Sequence, residues 1–155
     1  MINSDLQSLY QEVILDHNKR PRNFRVIDPA SSMARGHNPL CGDQIQIYIN
    51  MKDDIILDVS FQGQGCAIST ASASLMTDAV KGKSIQAIKL IFDEFHQAVT
   101  QDNIDINLDK QQQILGRLMI LTGVKKYPSR VKCATLAWHA LQAAIVKQSE
   151  PVKTE

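Results

Sequence analysis

The stretch that decides the fold runs from Ile45 to Phe61 and reads IQIYINMKDDIILDVSF. Apolar residues alternate with mainly polar ones on both sides of Lys52-Asp53-Asp54, and a period of two is typical of strands with one buried face. Two such strands joined by a short polar turn form an antiparallel hairpin. The hairpin therefore forms the centre of the predicted sheet. On its second strand, the residues predicted to face inward are Ile55, Leu57, Val59 and Phe61.

Helical patterns flank this hairpin on both sides. Apolar residues recur at spacings of three and four, and Ser, Pro and Gly mark several of the ends. The first predicted helix ends before Pro21. The others cover 68–80, 85–99, 110–122 and the stretch from Pro128 onward. Asp109 with Gln112 is typical of a capping box for the fourth helix, which Gly123 should end. A short strand is also expected near 33–36.

The predicted strands come early in the chain and most of the predicted helices come late, and this order predicts an α+β fold. We expect a small antiparallel sheet of two to three strands, with about five helices packed mainly on one of its faces. The 155 residues fit a single domain covering 1–155, with a frayed tail over 147–155.

Bulk composition narrows the classes of function. Hydrophobic residues make up 44% of the chain and charged residues 21%, with a net charge of +1. This balance gives no electrostatic argument for binding nucleic acid, and the apolar runs are too short to span a membrane. The first residues lack the pattern of a signal peptide, and three cysteines are an odd number. We therefore expect a cytoplasmic protein without disulfides.

The three cysteines all lie in unusual settings. Cys41 and Cys66 stand beside glycine, whereas Cys133 follows Pro128 and two cations, Arg130 and Lys132. A structural cysteine is usually surrounded by large apolar neighbours. Any one of the three alone would most simply be a small core residue, but all three in such settings favour a reactive or metal-binding site.

The predicted topology brings these cysteines together. Cys41 precedes the first hairpin strand and Cys66 follows the second, so both lie at the same open end. Asp43 lies two positions after Cys41, on the same side of an extended chain. We place Cys133 in the first turn of the last helix, where the helix dipole should lower its pKa. Arg130 and Lys132 should add to this effect and offset the negative charge of the site.

Cys41, Asp43, Cys66 and Cys133 therefore form the predicted site. Three thiolates and one carboxylate suit zinc or iron in tetrahedral geometry. Asp is a harder ligand than Cys, which favours a site that opens during function. His37 precedes Cys41 by four residues and is a minor alternative for a contact with it.

At these residues the chain resembles the U-type iron–sulfur cluster assembly family, which includes IscU and the N-terminal domain of NifU. The matching stretches are Leu9–His17, Pro21–Asn23, Asn38-Pro39, Cys41–Asp43, Phe61–Ser69 and Lys132–Ala134. Within that family the chain is most similar to the SufU branch. Lys132 stands where the scaffold branch has a histidine, and the segment between Cys66 and Cys133 is long.

The resemblance implies zinc (Zn2+) on Cys41, Asp43, Cys66 and Cys133. It also implies a SufS-like cysteine desulfurase as partner, Cys41 as the acceptor of its persulfide sulfur, and downstream cluster-assembly proteins. The activity would be that of a zinc-dependent sulfurtransferase, whether or not the protein counts as an enzyme in its own right.

Three other functions stay open at this point. The first is a scaffold on which Cys41, Cys66 and Cys133 hold iron or a [2Fe-2S] cluster, although Lys132 is a poor substitute for an imidazole ligand. The second is a zinc-stabilised adaptor without sulfur chemistry. A cysteine hydrolase is a distant third, since no His–Cys pair is evident. The sequence leaves open the metal held in the cell, the final acceptor and the oligomeric state.

Overall fold

The computed structural model of the chain describes residues 4–101, 107–147 and 152–154, with side chains from Tyr10 onward. The helices are α1 (Ser4–Lys19), α2 (Ala67–Val80), α3 (Ile85–Thr100), α4 (Leu108–Leu115) and α5 (Pro128–Ile145), with a 3-10 helix over Gly116–Lys126. The strands are β1 (Ser32–Asn38), β2 (Asp43–Lys52), β3 (Ile55–Gln64) and β4 (Val152–Lys153). The predicted α+β fold is confirmed.

The sheet is larger than predicted. Its strands lie in the order β3-β2-β1-β4, with the first three antiparallel and β4 parallel to β1. The described residues thus form four strands instead of two or three, in a mixed sheet.

The β2–β3 hairpin forms as predicted. Its turn residues Asp53 and Asp54 have φ angles of 52° and 63°, the left-handed pair that matches the twist of two-residue hairpins. One irregularity follows, because Asn50 pairs with Asp58 whereas Met51 pairs with Ile56. Leu57 is the extra residue of this bulge.

Near the turn, the bulge changes which side chains of β3 point toward the core. Ile56 is fully buried, whereas Leu57 is 55% exposed and Ile55 39% exposed. The prediction that Ile55 and Leu57 face inward is therefore wrong, while Val59 and Phe61 are buried as expected.

Part of the tail is ordered, contrary to the prediction for 147–155. Val152 and Lys153 pair with Gly36 and His37, and the Thr154 amide donates to the His37 carbonyl at 3.0 Å. The tail residues 148–151 and 155 lie outside the described part of the chain.

The core lies between the inner face of the sheet and the helices. Helix α2 is rich in Ala and Ser, so its backbone approaches α5 closely, and the Ser72 hydroxyl donates to the Ala134 carbonyl at 2.5 Å. Gly36 lies under α5, where a Cβ would meet Leu136 Cδ1 at 3.0 Å. Other fully buried large side chains include Trp138, Phe61, Phe95, Ile47 and Ile49.

No helix in the described ranges combines the length and the apolar character needed to cross a bilayer.

The segment before α5 differs from the prediction. Helix α4 is capped by Asn107, whose Oδ1 accepts from the Lys110 amide at 3.1 Å, and not by Asp109. It ends at Gly116, where φ is 52°, and the chain continues as a 3-10 helix that contains Gly123. Gly116, and not Gly123, is therefore the residue that ends the helix.

Helix α1 and the segment after it are fixed to α2. A 2.7 Å hydrogen bond joins Nδ1 of the buried His17 and Ser74 Oγ, and the same Oγ accepts from the Arg22 amide at 2.8 Å. Asn23, at φ 58°, donates from Nδ2 to Thr77 Oγ1 at 3.0 Å. These contacts hold the first helix against the element that begins at Cys66.

Candidate metal and sulfur site

The loop between β1 and β2 presents Cys41. Asn38 and Asp43 are the last paired residues of the two strands, so residues 39–42 form a four-residue turn. The Cys41 amide donates to the Asn38 carbonyl at 3.2 Å, and the Leu40 amide donates to Asn38 Oδ1 at 3.1 Å. Gly42, at φ 71°, completes the turn in a conformation that suits glycine. Cys41 is exposed at the tip of this loop.

Asp43 lies behind that loop and is fully buried. Its Oδ1 accepts from the Cys66 amide at 2.8 Å, and its Oδ2 lies 3.8 Å from Cys66 Sγ. Within the described ranges no Lys, Arg or His forms an ion pair with this carboxylate. A buried carboxylate without a cation is costly, so this environment favours a positive ion beside Asp43.

Cys66 is the N-cap residue of α2. Its Sγ accepts from the Ser69 amide at 3.4 Å, which satisfies one of the unpaired amides at the start of the helix. The hydrogen bond from Cys133, aided by the amides of Ser69 and Ile68, lowers the pKa of the Cys66 thiol to about 6, although burial and Asp43 oppose this. Of Cys66 and Cys133, Cys66 is therefore the thiol more readily held as a thiolate.

Cys133 is fully buried in the second turn of α5, as the sixth residue of that helix. Its Sγ lies 3.4 Å from Cys41 Sγ and 3.5 Å from the Ser129 carbonyl. Donation to Cys66, together with burial and hydrogen bonds to Cys41 and Asp43, raises the pKa of the Cys133 thiol. The predicted lowering by the helix dipole is wrong, because the residue lies beyond the first turn and shares its proton with the neighbouring acids.

These side chains converge from three elements. The Sγ atoms of Cys41 and Cys133 and a carboxylate oxygen of Asp43 all lie within 4.8 Å of one another. Cys66 lies outside that group but beside it, with its Sγ 3.8 Å from Asp43 Oδ2 and a hydrogen bond from Cys133. Three sulfurs and one carboxylate oxygen are a donor set that zinc accepts, so the residues present fit such an ion.

The chain is similar to known proteins over most of its length. Residues 9–134 match the family described as NifU-like N terminal domain. The zinc-dependent sulfurtransferase SufU of Bacillus subtilis (strain 168) is 41% identical over 146 residues, covering 94% of this chain and 95% of that one. The chain belongs to the NifU-like family.

Two further comparisons extend this result. The iron–sulfur cluster assembly scaffold protein IscU of Streptococcus pyogenes serotype M1 is 42% identical over 147 residues, covering 94% of this chain and 88% of that one. A crystal structure from Fervidobacterium islandicum AW-1, described as a candidate cluster assembly scaffold protein for the SUF system, has a TM-score of 0.79 and 32% identity. It covers 92% of this chain and 99% of that one.

The other predicted site residues lie around this NifU-like centre. Arg130 is exposed and Lys132 is half-buried, and in the described part of the chain neither side chain pairs with a carboxylate. Their role in offsetting charge stays a prediction. His37 lies on the outer face of the sheet, where it lines an open groove, and not on the side that faces Cys133.

Asn38 supports the arrangement of the site, although it was not predicted to be part of it. It is fully buried, closes the Cys41 turn through two hydrogen bonds, and has its Nδ2 3.9 Å from Cys133 Sγ. The signal was present, since Asn directly before Pro39 is typical of a turn that an Asn side chain stabilises. Asn38 therefore links the loop of the NifU-like fold to its last helix.

Proposed function

We propose that the protein serves iron–sulfur cluster assembly as a zinc-containing acceptor of persulfide sulfur, which Cys41 takes from a cysteine desulfurase. One observation carries the proposal. Cys41 is exposed at a loop tip, yet its Sγ lies 3.4 Å from that of the buried Cys133. The similarity to the sulfurtransferase SufU supports the same role.

The reaction follows thiol–disulfide exchange. The Cys41 thiolate attacks the outer sulfur of the desulfurase persulfide, and a new S–S bond forms on Cys41. The persulfide bond of the partner breaks, and the partner's cysteine leaves as a thiolate. No external oxidant or reductant is consumed in this step.

The other residues have fixed positions. Asp43 and Cys133 are buried, and Cys66 is tied to the first turn of α2. With Cys41, these residues would hold the metal, and a bound zinc would keep the sulfurs deprotonated. Cys41 is the one of the four on an exposed turn, so it is the side chain that we expect to leave the site and meet a partner. The three thiols are free of disulfides, in keeping with the cytoplasmic location that we propose.

A second function is favoured by a separate observation. Three thiols in one site also suit a [2Fe-2S] cluster, and the chain is similar to IscU, named as a scaffold protein. In that case the protein would pass a cluster to downstream cluster-assembly proteins. The absorption spectrum of protein purified without oxygen separates the two functions, because a cluster is coloured and zinc is not.

Cys41→Ser tests the main proposal. A serine hydroxyl is far less acidic than a thiol and cannot carry a persulfide. We expect the variant to lose its acceleration of sulfide release by a cysteine desulfurase, and mass mapping of the wild type to place the persulfide on Cys41. Zinc content is checked first in every sample.

Cys66→Ser and Cys133→Ser provide the comparison. Each also removes one thiol from the site, so loss of zinc alone should affect all three variants in the same way. Full acceleration by Cys41→Ser, or a persulfide found on Cys66 or Cys133, would move the acceptor role and overturn the mechanism.

A further inference from the structure

The outer face of the sheet carries two rows of polar side chains across three strands. The strand register places Arg35 opposite Gln46 and Gln46 opposite Gln62, and in the next row His37 opposite Gln44 and Gln44 opposite Gln64. With Gly36, Ile45 and Gly63 these residues line an open cavity of about 640 Å³, here called the polar groove. Its volume falls within the range of about 300–1,000 Å³ that is common for ligand sites.

The polar groove is lined by a positively charged side chain and by no negatively charged one. None of its lining residues is acidic, and Arg35 is exposed. No carboxylate in the described ranges pairs with Arg35. Arg35 therefore gives this groove a positive charge, which favours an anionic occupant.

The glutamines determine what kind of anion fits. A carboxamide offers one acceptor and two donor hydrogens, which match the carbonyl and amide groups of an extended polypeptide. The Tyr48 hydroxyl donates to Gln46 Oε1 at 2.7 Å, which fixes that amide and leaves its nitrogen as a donor. A row of such amides is better suited to a peptide backbone than to a compact ion.

The polar groove adjoins the thiol site. His37 precedes Asn38, which contacts Cys133, and Gln44 follows Asp43. Gln64 lies two residues before Cys66. The second row is thus the end of the sheet nearest to the site, so an occupant of the groove would lie beside the route by which Cys41 is reached.

We propose that the polar groove binds an extended acidic segment of a partner protein. A carboxylate of the segment pairs with Arg35, and its backbone groups bond to the glutamine side chains. A bidentate pair between Arg and a carboxylate supplies direction as well as energy. The inference depends on the face of the sheet and holds whether or not Cys41 accepts sulfur.

Two synthetic peptides test this binding. One is a five-residue peptide with blocked ends and two glutamates, and its twin has glutamine at both positions. Nuclear magnetic resonance of the zinc-loaded protein follows the side-chain amide signals of Gln44, Gln46, Gln62 and Gln64. We expect the glutamate peptide to shift these signals, and its twin to bind about tenfold more weakly or worse.

Variants of the protein test whether Arg35 is the positive charge that binds the glutamate peptide. Arg35→Gln should weaken the glutamate peptide about tenfold, whereas Lys89→Gln, which removes an exposed charge on α3, should leave its affinity within about twofold. Gln62→Ala, a second change in the groove, should weaken both peptides because it removes a backbone contact.

Several results would overturn the proposal. They are equal binding of the two peptides, unchanged affinity in both groove variants, and no shift at millimolar peptide. Inorganic phosphate that shifts the same signals with the same dependence on Arg35 would mark a general anion site, and would also exclude a peptide groove.

Discussion

At the scale of single residues, the position of Asp43 depends on the absence of a side chain at Gly65. A Cβ built on Gly65 would overlap the Asp43 carboxylate, whose Oδ1 accepts from the neighbouring Cys66 amide. Gly65→Ala should therefore push the carboxylate out of the site while leaving the helices intact. We expect zinc release to a chromogenic chelator to accelerate about tenfold or more, a typical effect of disturbing metal ligands and their supports.

Gly123→Ala is the matched control for this change. A Cβ at Gly123 meets nothing within 4 Å, so the variant should release zinc at the wild-type rate. If the two variants release zinc equally fast, the carboxylate is not a ligand and the proposed site loses its oxygen donor.

Single residues also show which properties of the site could be predicted from the sequence and which could not. The proximity of Cys41, Asp43 and Cys133 could be predicted, because glycine and turn residues distinguish Cys41 from a core cysteine and the hairpin brings its ends together, while their role as ligands stays a prediction. The direction of the Cys133 pKa could not, since it depends on which thiols and carboxylates surround it in the fold. Local charge from Arg130 and Lys132 was visible in the sequence, whereas the proton shared with Cys66 was not.

At the scale of elements, the strength of the apolar pattern decided what could be predicted. The β2–β3 hairpin has large alternating residues, and α3 has a clear Ser84 cap, with Ser84 Oγ accepting from the Ala87 amide at 3.1 Å. Strand β1 was foreseen only as a short piece near 33–36, because its inward residues are Ala34, Gly36 and Asn38. Gly36 is small because α5 packs against it, which is a tertiary reason that no local pattern reveals.

The contact between α1 and α2 gives a pH-dependent prediction. Burial, followed by the charges of Arg22 and Arg117, lowers the pKa of His17 below its usual 6.5. At a pH between the folded and the unfolded pKa of His17, the unfolded chain therefore binds a proton more readily than the folded chain. The contribution of His17 to the free energy of unfolding is therefore complete above about pH 6.5 and is lost as the pH falls toward the folded pKa.

His17→Gln removes this titration. Urea unfolding should show the wild type losing stability relative to the variant as the pH falls from 7.5 to 5, since the glutamine cannot be protonated. His96→Gln, which changes an exposed histidine on α3 next to His139, should keep the part of the pH dependence that comes from His17. Parallel curves for wild type and His17→Gln would show that the His17–Ser74 contact does not select the neutral imidazole.

At the scale of the whole molecule, the site and the core occupy different parts of the fold. The largest fully buried side chains, among them Trp138, Phe95 and Ile49, come from α5, α3 and the sheet. The thiols lie at one end of that sheet, where the β1–β2 turn meets the starts of α2 and α5. The fold thus separates the residues that supply stability from those that perform chemistry, which allows the turn at Cys41 to move without unfolding the core.

Metal removal tests that separation. Structural zinc contributes roughly 10–16 kcal/mol to the folding of small zinc-finger peptides, which have no core of their own. Here the helices and the sheet supply a core, so treatment with a chelator should lower the melting temperature yet leave a helical circular dichroism spectrum. Added zinc should raise the melting temperature again in proportion to the logarithm of its free concentration. A random-coil spectrum after chelation would mean that the buried Asp43 and its thiols hold the fold together, and that the core cannot form without the ion.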